Sequence, residues 1–171
     1  MRKKKRKELI SECNITVSRI QEDYHPLHGA MIRIVLRPQR RGSMKALRAG
    51  KDRYLIEVDY RKYKNASNEE LLGALAHELA HFEEYSRMST LAYKLFRLRY
   101  YMSENTFRRY TRDIERAADM LVIRRGYGDA LLRHRQARRK AMGEMAYGNA
   151  IRVYMSNEEI GRRARGTRSR H

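Results

Sequence analysis

His77 and His81 stand four positions apart within the stretch LLGALAHELAHFEEY, residues 71–85. On a helix that spacing turns both imidazoles to one face, where together they can hold one metal ion. Glu78, beside the first histidine, reaches the same region without being a ligand. A hydrolytic zinc site takes three protein ligands and keeps one position for water, whose proton a nearby carboxylate removes and later returns to the leaving group. Two histidines therefore require a third ligand from elsewhere in the chain.

The helix that carries them has the right setting. Leu72, Leu75, Leu79 and Phe82 form an apolar stripe, and the two histidines fall nearly opposite, behind the small residues Gly73 and Ala74. A merely solvated face would carry long charged side chains there; small residues instead let a second backbone approach a buried site. Glu115 is the best third ligand. It lies in Asp113-Ile114-Glu115-Arg116-Ala117-Ala118-Asp119, far enough after His81 for the first helix to end and another to return beside it. Asp119, one turn beyond Glu115, points the same way and can accept the free ring N–H of a ligand histidine. Without the histidines, Glu115 and Asp119 would read as ordinary helical ion pairs with Arg108, Arg112 or Arg116.

His77-Glu78-x-x-His81 followed by Glu115-x-x-x-Asp119 resembles the gluzincin clan of zinc metallopeptidases, in particular the minigluzincins and the catalytic domain of the HtpX-type proteases. The resemblance covers roughly residues 30–128. It implies zinc on His77, His81 and Glu115, Glu78 as general base and acid, Asp119 behind a ligand histidine, and a protein or peptide substrate. It also implies that an edge strand binds the substrate in extended form. SprT-type proteases are less similar, since they use a third histidine and the next one here, His134, lies in an arginine-rich segment; ImmA/IrrE-type peptidases are neighbours in pattern. Zinc is preferred from ligand type rather than from any feature excluding nickel, cobalt or manganese. The further donor that a tetrahedral intermediate requires has no motif behind it: Tyr110, Tyr127 and several arginines are candidates.

Composition frames these residues. The 171 residues, 42% hydrophobic, suit one compact domain with a real core. Within it we expect a basic N-terminus and first helix over 1–29, the zincin-like core over 30–128, and a helical extension with a basic tail over 129–171. Thirty-nine bases against twenty acids give a formal charge of +19, and eleven of the bases sit in Met1–Lys7 and Arg162–His171. Such termini suit non-specific association with nucleic acid or another polyanion. The competing functional class is accordingly a basic nucleic-acid-associated protein whose zinc site is structural or vestigial. Cys13 stands alone, no apolar run follows the basic start, and no segment is long enough to span a bilayer, so the expected location is intracellular, in the cytoplasm. Cys13 shares a helical stripe with Leu9, Val17, Ile20 and Tyr24, which makes it a packing residue.

The expected fold is α+β, a small antiparallel sheet of about three strands packed on a mostly helical zincin-like domain. The first helix runs from about Lys7 to Asp23, ending before His25-Pro26. Ile32, Ile34 and Leu36 alternate in a strand closed by Pro38, and Tyr54, Ile56, Val58 and Tyr60 alternate in another. Between them Arg40-Arg41-Gly42 forms a turn, and Ser43–Leu47 is either the substrate-binding edge strand or an exposed basic loop. Ser67, with Glu70 three residues on, caps the active-site helix. Leu91, Leu95 and Leu98 share a face of a later helix, and Ser103 separates it from the helix bearing Glu115, which Gly126 and Gly128 end. Asp129 caps an extension whose Leu131, Leu132, Arg133, Arg135, Arg138, Arg139 and Lys140 present a positive surface; Gly143 interrupts it, and Ser156 with Glu159 caps a final turn before the arginine tail.

Overall fold

The computed structural model describes residues 4–38, 44–102, 107–143, 147 and 154–168. The expected turn at 40–42, Ser43, Ser103 and most of the segment before Tyr154 lie outside these residues. Among them the order is α1 (Arg6–Gln21), a single 3-10 turn (His25–Leu27), β1 (Met31–Leu36), β2 (Met44–Gly50), β3 (Arg53–Val58), α2 (Tyr60–Tyr63), α3 (Asn68–Ser86), α4 (Thr90–Met102), α5 (Phe107–Arg124), α6 (Gly128–Met142) and α7 (Asn157–Arg168). The fold is α+β, mostly helical with one three-stranded sheet.

That sheet is mixed, not antiparallel. Its order is β1-β3-β2, with β1 parallel to β3 and β2 antiparallel to it. The physical reason is burial. β3 buries Tyr54, Ile56, Glu57 and Val58, so it takes the centre, while β1 buries Ile34 alone and suits an edge. β2 and β3 form a hairpin across Lys51-Asp52, where Asp52 adopts φ 53°, and β1 must then pair along the free side of β3. Residues 44–47 are therefore strand rather than loop, at the other edge. Tyr60 does not extend β3: the Asp59 side chain accepts the Arg61 N–H and starts α2.

α3 is the central element. The Ser67 and Glu70 side chains each accept the other's backbone N–H, closing a capping box. Thirteen of its nineteen residues are buried, so it is enclosed nearly all round instead of exposing a polar face. α1 covers one side through Leu9, Cys13, Val17 and Ile20, and the Tyr24 hydroxyl donates to the Ala76 carbonyl. α6 crosses it at Gly73, so closely that a Cβ there would lie 2.1 Å from the Ala130 carbonyl oxygen. Further on, Gly126 at φ 86° ends α5, whereas Gly128 already opens α6, with Asp129 in its first turn and Tyr127 at its cap. Ser156 accepts the Glu159 N–H at the start of α7.

Candidate metal centre

α3 projects His77 and His81 from successive turns, and α5 runs alongside with Glu115 one turn before Asp119. The structure brings these residues together. His77 Nε2 lies 3.0 Å from Glu115 Oε2, His81 Nε2 lies 3.5 Å from the same oxygen, and the two Nε2 atoms are 3.2 Å apart. All three side chains are buried. Tetrahedral ligation with bonds of roughly 2.0–2.1 Å separates ligand atoms by about 3.3–3.4 Å, so the triangle has the edge lengths of one face of a zinc tetrahedron. The two imidazole nitrogens and the carboxylate oxygen converge on one point, which is what a shared cation requires. The residues present thus fit the ion.

Behind the cluster, His77 Nδ1 lies 3.0 Å from Asp119 Oδ1. The Asp119 carboxylate is wholly buried and otherwise satisfied: Arg135 Nη2 donates to Oδ1 at 2.8 Å, and the Met155 N–H donates to Oδ2 at 3.1 Å. Arg135 is 2% exposed, with Tyr154 laid over its guanidinium, 3.9 Å from carbon to ring centre. Tyr154 also stands 6.0 Å from the His77 ring, and Tyr85 stacks on His81 at the same separation. So four segments enclose the two histidines: α3, α5, α6 and the turn before α7.

The charges are coupled. Burial lowers the His77 pKa, but the Asp119 and Glu115 carboxylates outweigh it and raise the pKa to about 9. Burial raises Glu115, yet the two imidazoles pull its carboxyl well below the usual carboxylate range. Asp119 behaves alike, burial raising it and Arg135 bringing it down. Glu78 is the exception. Burial lifts it above the ordinary value against both imidazoles, and the Ala46 N–H of β2 points at its carboxylate. A carboxylate so placed takes and releases a proton more readily than an exposed one.

Other expectations fall out differently. Tyr127 donates its hydroxyl to Asp23, away from the cluster, and the Tyr110 side chain lies outside the described residues. His134 is buried and stacks on Tyr63, with no part in the metal cluster. Arg135 does not join the positive surface expected of α6; it is the one arginine of that helix turned fully inward. A signal existed, since Leu131 and Arg135 are four apart, which places the arginine on the buried stripe of its helix. The chain matches no protein-family model, no curated protein and no solved structure.

Proposed function

We propose that this chain is a zinc metallopeptidase of gluzincin type that hydrolyses peptide bonds, with His77, His81 and Glu115 as ligands and Glu78 as general base and acid. One observation carries the reading: three buried donor atoms from two helices distant in sequence lie 3.0–3.5 Å apart around one point, with a second carboxylate, Glu78, beside them. Zinc, when bound, supplies a Lewis acid that activates water and polarises the scissile carbonyl. Glu78 takes a proton from the attacking water and returns it to the leaving amine. Asp119, itself held by Arg135, fixes the ring of His77.

The β2 edge is the substrate platform. The Ala46 N–H points toward Glu78 and the Arg48 N–H donates to the Tyr93 hydroxyl at 2.9 Å, so the side of β2 away from β3 faces the site. An extended peptide aligned there lies with its carbonyl beside Glu78 and takes over the Ala46 N–H from that carboxylate.

The test measures metal content and cleavage of casein by wild type and Glu78→Gln. We expect about one zinc per chain in both and cleavage in the wild type alone. Cleavage by Glu78→Gln at the wild-type rate, or a chain that binds no zinc, overturns the reading. The +19 charge favours a second reading, a nucleic-acid-associated protein with a structural or vestigial zinc site. It is distinguished by salt-sensitive DNA or RNA binding that survives Glu78→Gln, with no peptide cleaved by either protein.

A further inference from the structure

α4 shows the solvent its apolar side. Leu91, Leu95 and Leu98 are 67%, 57% and 55% exposed, and their i, i+4, i+7 spacing puts them in one row. The other large apolar residues exposed among the described ones, Ile15, Met31 and Met142, sit singly on α1, β1 and α6. Scattered residues of that kind are ordinary, whereas a contiguous row is a contact surface. The opposite side of the helix is the one that seats it. On the opposite side Tyr93 and Phe96 are buried against Tyr85, with ring centres 5.1 and 5.6 Å apart, and the Tyr93 hydroxyl accepts the Arg48 N–H. Turning the leucines inward would remove all these contacts.

The surrounding charge selects what the row can meet. From Tyr85 to Ser103 the sequence holds no acid; Arg87 pairs back to Glu83 at 2.8 Å, Lys94, Arg97 and Arg99 belong to α4 itself, and exposed Lys94 lies between Leu91 and Leu95 at the flank of the row. A second copy docking about a two-fold axis would set this basic stretch against itself, between chains that each carry +19. A bilayer containing acidic phospholipid offers apolar depth to the leucines and anionic headgroups to the bases at once. We propose that the exposed face of α4 is a membrane-surface docking site, on which the chain lies with Leu91, Leu95 and Leu98 inserted among acidic phospholipids. α4 does not cross: at thirteen residues it is shorter than the roughly twenty a span requires, and no helix among the described residues is long and apolar enough. Because Tyr85 stacks on His81 and packs at a tilt against Tyr93, docking sets the candidate metal cluster one aromatic layer from the helix that meets the lipid. The proposal does not depend on the peptidase reading, and its test reads binding alone.

The full chain is floated with vesicles of equimolar phosphatidylglycerol and phosphatidylcholine, and with phosphatidylcholine alone. We expect binding to the acidic vesicles, and a partition coefficient lower by about a hundredfold in the triple variant Leu91→Ser, Leu95→Ser, Leu98→Ser, which keeps every charge. Since the three side chains pack little against the fold, the variant should retain the wild-type circular dichroism and melting temperature. The chain has no tryptophan, so Leu95→Trp provides a single reporter whose emission should shift to the blue on the acidic vesicles and be quenched by brominated acyl chains. Equal partition of wild type and triple variant, meaning attraction by the basic termini alone, overturns the proposal. So does unshifted emission from bound Leu95→Trp, or a wild-type dimer that the triple variant dissolves, which assigns the row to a second copy.

Discussion

Gly73→Ala tests whether the close approach of α3 and α6 underlies the site. A β-carbon at Gly73 would lie 2.1 Å from the Ala130 carbonyl oxygen, 2.4 Å from its carbonyl carbon and 2.8 Å from the Leu131 nitrogen. All three are backbone atoms, so no side-chain rotation relieves the overlap, and the helices must part by about 1 Å to restore ordinary contact. Two effects oppose each other. Alanine is the better helix former by roughly 0.8–1 kcal/mol, while overpacking a tight interior costs typically 1–3 kcal/mol and more when only backbone can yield. The clash should win by about 2 kcal/mol, lowering the melting temperature by roughly 4–8 °C for a chain of this size. Because α6 also carries Arg135, which donates to Asp119 behind His77, zinc affinity should fall with stability. Urea unfolding with a lower midpoint and unchanged slope, together with chelator competition for zinc, measures both. Gly166→Ala in α7 is the control, since a β-carbon there meets nothing within 4 Å and helix propensity acts alone. If Gly73→Ala proves as stable as wild type or more so, the proposed helix contact is wrong.

Three further outcomes rest on buried side chains. Asp119→Asn and Arg135→Met should each weaken zinc binding about 10–100-fold in chelator competition, and the double variant should lose less than the two losses combined, because both act through the orientation of His77. Burial, then the charges of Arg135 and Arg138, hold His134 well below the usual imidazole value. Unfolded, it protonates near 6.5, so below that pH the unfolded chain binds the extra proton; the stability that neutral His134 confers is present above about 6.5 and falls by up to roughly 1.4 kcal/mol per unit of further acidification. Urea midpoints of metal-free protein at neutral and mildly acid pH should show this slope reduced in His134→Leu, and an identical slope in both proteins refutes the assignment. Burial pushes the Cys13 thiol up to about 12, so it should resist a thiol-reactive disulfide reagent in the folded protein and react fully in urea; rapid native labelling would contradict its place on the buried face of α1.

What could be read from the sequence is what repeats locally. The α1 stripe of Leu9, Cys13, Val17 and Ile20 is buried throughout because a helical period needs no knowledge of the partner to specify a face. The same holds for Tyr54, Ile56 and Val58 in β3 and for the capping box of α3. Pairing is another matter. Alternation in β1 and β3 says that each has an inner side, yet nothing local says they run parallel; that follows only once β2 has closed its hairpin and left one side of β3 open. α4 poses the same difficulty in sharper form. Leu91, Leu95 and Leu98 make one apolar face, and Tyr93 with Phe96 makes another, so periodicity offers two solutions of similar merit. The ring of Tyr85 and the N–H of Arg48 decide between them, and both belong to other elements.

The candidate metal cluster combines the two kinds of information. His77 and His81 meet because of a local spacing, and Glu115 and Asp119 share a face for the same reason, but the distance between the pairs depends on helix packing. Arg135 exposes the difference most clearly. Counted as one of several bases in α6 it belongs to a solvated surface, and its stripe alone would argue against a charge there. A buried guanidinium is tolerable only opposite a buried carboxylate, so the inward turn of Arg135 and the full burial of Asp119 require each other. Removing either charge leaves the other stranded beside His77, which is why the two variants should fail together and at the candidate metal site.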